Sequence, residues 1–95
     1  DAYNGRGVAY NHEGGRVRFL PDNPAARRQE AEGYWDSAVQ DFQRAIQIDS
    51  QQAGYWVNLM ISYRLLNDTE QARRARNEAL DLDEGLRPIL QDAVE

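Results

Sequence analysis

GYWDSAVQDFQRAIQID, residues 33–49, and NDTEQARRARNEALDLD, residues 67–83, are two copies of one pattern. Ala38 falls on Ala72, Ala45 on Ala79, Ile46 on Leu80, Ile48 on Leu82 and Asp49 on Asp83, so every offset is 34. Self-similarity at a fixed period of about 20–50 residues marks a stacked-repeat architecture, because one unit cannot bury its apolar face alone and does so against its neighbours. The segments that precede the two copies match as well. DAYNGRGVAYNHEG from Asp1 and GYWVNLMISYRLLND from Gly54 bring Tyr3 onto Trp56, Val8 onto Ile61 and Tyr10 onto Tyr63, at an offset of 53. The excess of 53 over 34 puts an extra 19 residues into the first unit, between its two helices, somewhere in residues 15–33.

Pattern and punctuation then place the helices. The first runs from about Ala2 to His12 and is expected to stop near Gly14-Gly15, since adjacent glycines disfavour continuation. Another opens at the cap Asn23, with Pro24 at the first helical position and the helix formers Ala25 to Glu32 behind it. It continues through Gly33 into Tyr34 to Ile48, with a kink or break at Gly33 as the alternative. A third helix spans about Ala53 to Leu66, and Asn67-Asp68 makes the turn. Asp68 caps the fourth, with Gln71 three residues on in capping-box spacing, and that helix runs to Leu82. Pro88 opens a short helix from Arg87 to Val94, whose Leu86, Ile89, Leu90 and Val94 are expected to cover the open end of the stack. In the inserted stretch, Phe19 is expected to pack against the hairpin, because Val17, Phe19 and Leu20 form an apolar run of a kind that seldom sits in a free loop.

The pattern resembles the tetratricopeptide-repeat family, in which a bulky, a small and an aromatic residue mark the first helix and Ala, an aromatic and Ala mark the second. In the second unit these slots hold Trp56, Leu59, Met60, Tyr63, Ala72, Arg76 and Ala79, with Met60 in place of a small residue and Arg76 in place of an aromatic. In the first unit they hold Tyr3, Gly7, Tyr10, Ala38, Phe42 and Ala45, with Ser50 where Pro is common. The resemblance implies an all-α fold: two stacked helical hairpins, the first extended by the insertion at 15–33, and a C-terminal capping helix, together a fragment of a right-handed solenoid. The first unit then covers about 1–50, the second about 53–84 and the cap about 86–95, all in one domain.

Composition bounds the function. The 95 residues suffice for one domain with a modest core, and 41% hydrophobic with 28% charged residues suits a globular chain. With no cysteine, disulfides, thiolate metal sites and cysteine nucleophiles are excluded. No apolar run approaches the roughly 18 residues a membrane span needs, so no membrane insertion is expected. A net charge of −5 repels phosphate backbones, so no nucleic-acid partner is expected either. All eleven positive charges are Arg, a bias best read as compositional, with selection for forked donors as the sharper reading. The chain opens at Asp1 without a Met, as expected of a domain taken from a longer protein, and its location is not readable.

Nothing in the chain assembles a catalytic set, so an enzyme is not expected, and no cofactor or metal is expected. His12 is the only histidine, and its neighbour Glu13 does not share its helix face. Asp81, Asp83 and Glu84 lack calcium-loop spacing, and Gly5, Gly7, Gly14 and Gly15 follow no strand and precede no Lys, so they read as packing and turn positions. Arg73, Arg74 and Arg76 read as a solvated outer face. Trp56 reads as core, while Trp35 stays open between core and exposed anchor.

The resemblance implies a concave groove lined by the first helices of the hairpins, here Asn4, Val8, Asn11, His12, Val57, Asn58, Ile61, Arg64 and Leu65. A subset of the family grips a C-terminal carboxylate with Lys, Asn and Arg, and only Asn58 fits that pattern. Asn4 stands where Lys is expected and Val8 where Asn is, and the chain has no Lys, so chaperone-tail binding is not expected. The expected function is an adaptor or scaffold that binds a peptide segment of a partner protein in this groove. The alternative is self-association, as a homo-oligomer or by stacking on repeats of a larger chain.

Overall fold

Asp1 starts the first helix by accepting the Asn4 backbone N–H at 2.9 Å. This helix, α1, runs Ala2–Arg18 and does not stop at Gly14-Gly15. The computed structural model describes residues 1–93, so Val94 of the expected cap lies outside them. α1 continues because of what faces it. The second helix, α2 (Pro24–Ile48), lies along it in the opposite direction and lays Phe42 against Gly7 and Trp35 against Gly14. A Cβ at Gly7 would sit 2.6 Å from the Phe42 ring, and one at Gly14 would meet the Trp35 indole and the Ala31 carbonyl, the latter at 3.1 Å. Each glycine in a helix costs about 1 kcal/mol relative to Ala, and here the close approach of a large ring offsets that cost. Gly7 and Gly14 are therefore packing positions, and no turn forms at the second of them.

Most of the inserted stretch is helical, with residues 19–23 forming the turn. α1 has 17 residues and α2 has 25, against 13 and 14 in the third and fourth helices, so the added length goes into both arms of the first hairpin. The turn between the arms ends at Asn23, in the left-handed region at φ 44°, whose side chain caps the Ala26 N–H at 3.3 Å ahead of Pro24. α2 then passes Gly33 without a break, as expected for the continuous reading, since nothing lies near that exposed position. Phe19 departs from expectation: it is 81% exposed, while Val17 is the residue buried. Val17 lies one turn beyond Gly14 on the inward face, whereas Phe19 follows the last helical residue and turns outward beneath the Arg18 guanidinium, 5.6 Å from it.

α3 (Ala53–Leu65) and α4 (Thr69–Leu82) form the second hairpin. Asn67, at φ 62°, closes α3 with the Asp68 N–H donating to the Tyr63 carbonyl at 2.8 Å, and Asp68 caps α4 by accepting the Gln71 N–H at 3.2 Å. After a 3-10 turn at Glu84–Leu86, the short α5 (Arg87–Leu90) buries Leu90 against the stack. Ile89, expected beside it in the core, is 73% exposed, because adjacent residues of a one-turn helix cannot both face inward. Arg76, in an aromatic slot of the pattern, instead donates to the Gln91 carbonyl at 3.1 Å and ties α4 to this cap.

All the described residues in regular structure are helical, and the main core cluster includes Phe42, Leu59, Met60, Leu80 and Leu90, with Val17, Ala31 and Trp35 buried outside it. No helix among them is long and apolar enough to cross a membrane. Trp35 is buried and donates its indole N–H to the Asn11 carbonyl at 3.4 Å, which places it in the core. The four repeat alanines, Ala38, Ala45, Ala72 and Ala79, are all fully buried, as their slots predict. Ala72→Leu should overpack the α3–α4 seam by about 1–3 kcal/mol. A melting temperature equal to that of the parent would show that Ala72 is not at a close contact.

Candidate functional site

α1 and α3 lie side by side and run the same way, held by a ladder of polar ties. The Asp1 ammonium donates to the Tyr55 hydroxyl at 3.2 Å, Asn58 Nδ2 to Asn4 Oδ1 at 2.9 Å, and the buried Ser62 hydroxyl to Asn11 Oδ1 at 2.8 Å. The sequence reading expects these asparagines to line a ligand groove; in the structure their side chains are bonded to one another and to Ser62 between α1 and α3. Their amides fix the spacing of α1 and α3. Val8 falls between Asn4 and Asn11 along α1, and Ile61 between Asn58 and Ser62 along α3. Val8 and Ile61 are 47% and 36% exposed. Val57 and Leu65 are half-buried, and His12 and Arg64 are exposed. Arg64 makes no ion pair and no side-chain hydrogen bond with any described residue.

On another side of the molecule a cleft of about 490 Å³ opens between α2, α3 and α4. Ile46, Trp56, Leu59, Tyr63 and Ala75 make it apolar, and Gln43, Gln47, Gln71, Arg74 and Glu78 are its polar members. Gln43 Nε2 donates to the Tyr63 hydroxyl at 3.3 Å, and burial raises the pKa of that hydroxyl above its ordinary value. Arg74 pairs with Glu70 at 2.8 Å, whereas Glu78 has no ion-pair partner among the described residues. The sequence did not single out this cleft. Its local signal is the spacing of Gln71, Arg74, Ala75 and Glu78, which share one face of α4.

A third group sits where α1 meets the middle of α2. Asp41 is 2% exposed, and Arg6 grips it bidentately, Nε to Oδ2 and Nη2 to Oδ1, both at 2.8 Å. Hydrogen bonds from Arg6 outweigh burial and hold the Asp41 carboxyl below the usual carboxylate range. The Arg6 guanidinium also lies 5.8 and 5.9 Å from the Tyr3 and Tyr10 ring centroids, and Arg44 adds a more distant charge, 3.8 Å from Asp41. Each oxygen of Asp41 thus accepts one hydrogen bond from Arg6, which ties α1 to α2. Among the described residues no three His, Asp or Glu side chains come together as metal ligands. No family model matches the chain, and no curated protein and no solved structure matches it either.

Proposed function

We propose that this chain is a protein-interaction module of the tetratricopeptide-repeat kind, and not an enzyme, which holds a peptide segment of a partner protein on the α1–α3 face. Two helical hairpins, α1–α2 and α3–α4, correspond to the two repeat units, and α5 supplies the C-terminal cap. The observation that carries the reading is that α1 and α3, tied side by side by the asparagine ladder, each leave an apolar residue exposed, Val8 and Ile61, with the unpaired Arg64 one turn on from Ile61. A face held rigid before binding loses little conformational freedom when a ligand arrives. Its ligand is a segment with an apolar anchor for Val8 and Ile61 and a carboxylate for the Arg64 fork, from an acidic side chain or a chain terminus.

The test is selection of binding segments from a displayed peptide library with the whole chain as bait, followed by calorimetry on the peptides obtained. Selected peptides should carry an apolar residue and a carboxylate, and Arg64→Ala should weaken them by roughly tenfold or more without changing the melting temperature. Arg73→Ala, which removes an exposed charge from α4, should leave affinity unchanged. If Arg73→Ala abolishes binding and Arg64→Ala does not, the ligand face is on α4.

A further inference from the structure

Phe19 is an exposed aromatic at the end of a projecting arm. Arg28 of α2 reaches back to the carbonyl of Leu65, the last residue of α3, at 3.4 Å. The four residues from Arg28 to Pro24, at 1.5 Å each, carry the hairpin about 6 Å past that point before the turn begins. Phe19 thus stands clear of the second hairpin, 81% exposed, with Arg18 over its ring and no ion pair for Arg18 among the described residues. A large aromatic side chain loses the most by standing in water, and beside an arginine it has the composition of an interface anchor.

The α2–α3–α4 cleft has the complementary character. Its volume of about 490 Å³ falls in the range of pockets that enclose a side chain or small ligand, roughly 300–1,000 Å³, and Trp56 and Tyr63 offer it ring surfaces. Glu78, at this cleft, lacks a cationic partner, as Arg18 lacks an anionic one. The arm cannot bend back into its own cleft. Pro24 and Ile46 are separated by 22 residues of one continuous helix, which is about 33 Å of rigid rod. Any arm that fills the cleft belongs to another molecule.

We infer that the chain self-associates head to tail, with the hairpin tip of one copy, Phe19 and Arg18, seated in the α2–α3–α4 cleft of a second copy and Arg18 paired with Glu78. Plug and socket are different surfaces, so the contact is heterologous: each copy offers one of each, and assembly grows into a ring or an open chain with rising concentration. This contact is separate from the α1–α3 face and does not depend on the peptide-binding reading.

Sedimentation of the whole chain from micromolar to millimolar concentration tests it. The average mass should rise above the 10.9 kDa of one copy. Phe19→Ala should weaken association by about thirtyfold, with the melting temperature unchanged because the side chain is exposed. Arg18→Glu and Glu78→Arg should each weaken it, and the double variant should associate again. A mixture of Phe19→Ala, whose cleft is intact, with Glu78→Arg, whose tip is intact, should stop at a dimer of one copy of each. Arg64→Ala should have no effect. A chain that stays at the mass of one copy at millimolar concentration, a Phe19→Ala variant that associates like the parent, or a double charge reversal that recovers nothing would each overturn the proposal.

Discussion

Phe42→Ala is expected to destabilise the fold by about 3–5 kcal/mol, at the upper end for a single core truncation. Phe42 is fully buried, and it fills the space that Gly7 leaves on α1. Its removal leaves a cavity that the neighbours cannot close, because Gly7 has no side chain and the alanines one turn away on α2, Ala38 and Ala45, end at a methyl group. The cost of such a change grows with the cavity that survives relaxation. A domain of this size is stable by about 5–15 kcal/mol in total, so the variant should melt at least about 12 °C lower, at roughly 4–8 °C per kcal/mol, or fail to fold. Thermal unfolding followed by circular dichroism reads this directly. Phe19→Ala is the control, since the same truncation at an exposed ring should leave the melt unchanged. A loss below about 1 kcal/mol at Phe42 would mean that the α1–α2 seam is not held by ring-on-glycine packing.

What the sequence made legible was what local chemistry or the repeat decides. Asn23 before Pro24 and Asp68 before Gln71 cap their helices as their side chains require, and the four alanines are buried because the offset of 34 puts them in equivalent slots. Gly14-Gly15 misled because local propensity alone makes two glycines a stop, and the approach of Trp35 that keeps the helix going comes from a segment about twenty residues away. Phe19 is the opposite case: its apolar character points to a core that at this tip ends at Val17. For the candidate site, the face of Asn4, Val8, Asn58 and Ile61 follows from helical spacing, but the bonding of the asparagines to one another depends on how far apart α1 and α3 lie. The α2–α3–α4 cleft depends on the placement of three helices and has no counterpart in any one segment. The ion pair of Arg6 and Asp41 was readable in principle. At an offset of 53 Arg6 falls on Leu59, and at 34 Asp41 falls on Ala75, so two charges stand in the first unit where the second has two core residues.

That correspondence frames the second large effect. Arg6→Leu should destabilise the fold strongly at neutral pH, because it leaves Asp41 ionised, 2% exposed and without either of its hydrogen bonds from Arg6. Arg44, 3.8 Å away, supplies charge but no hydrogen bond, and an unpaired buried carboxylate costs far more than the intact pair gains. The pH dependence follows in sign. In the parent, Arg6 lowers the Asp41 pKa, so the pair's contribution is complete above the unfolded value of about 3.9 and is lost as pH falls through the lower folded value. In Arg6→Leu, burial is left to dominate and raises the pKa above the unfolded value, so the folded state takes up the proton first and gains stability as pH falls. The deficit of the variant relative to the parent should therefore be greatest near pH 7 and should shrink as the solution is brought to about pH 4. Asp41→Ala added to Arg6→Leu copies the Leu59 and Ala75 pair of the second unit and removes the stranded charge, so the double variant should recover most of the loss at neutral pH. Thermal melts of parent, single and double variants across this pH range decide the matter. A deficit that does not change with pH, or a double variant no more stable than Arg6→Leu, would show that Arg6 contributes by covering the apolar surface of Tyr3 and Tyr10 and not by neutralising Asp41.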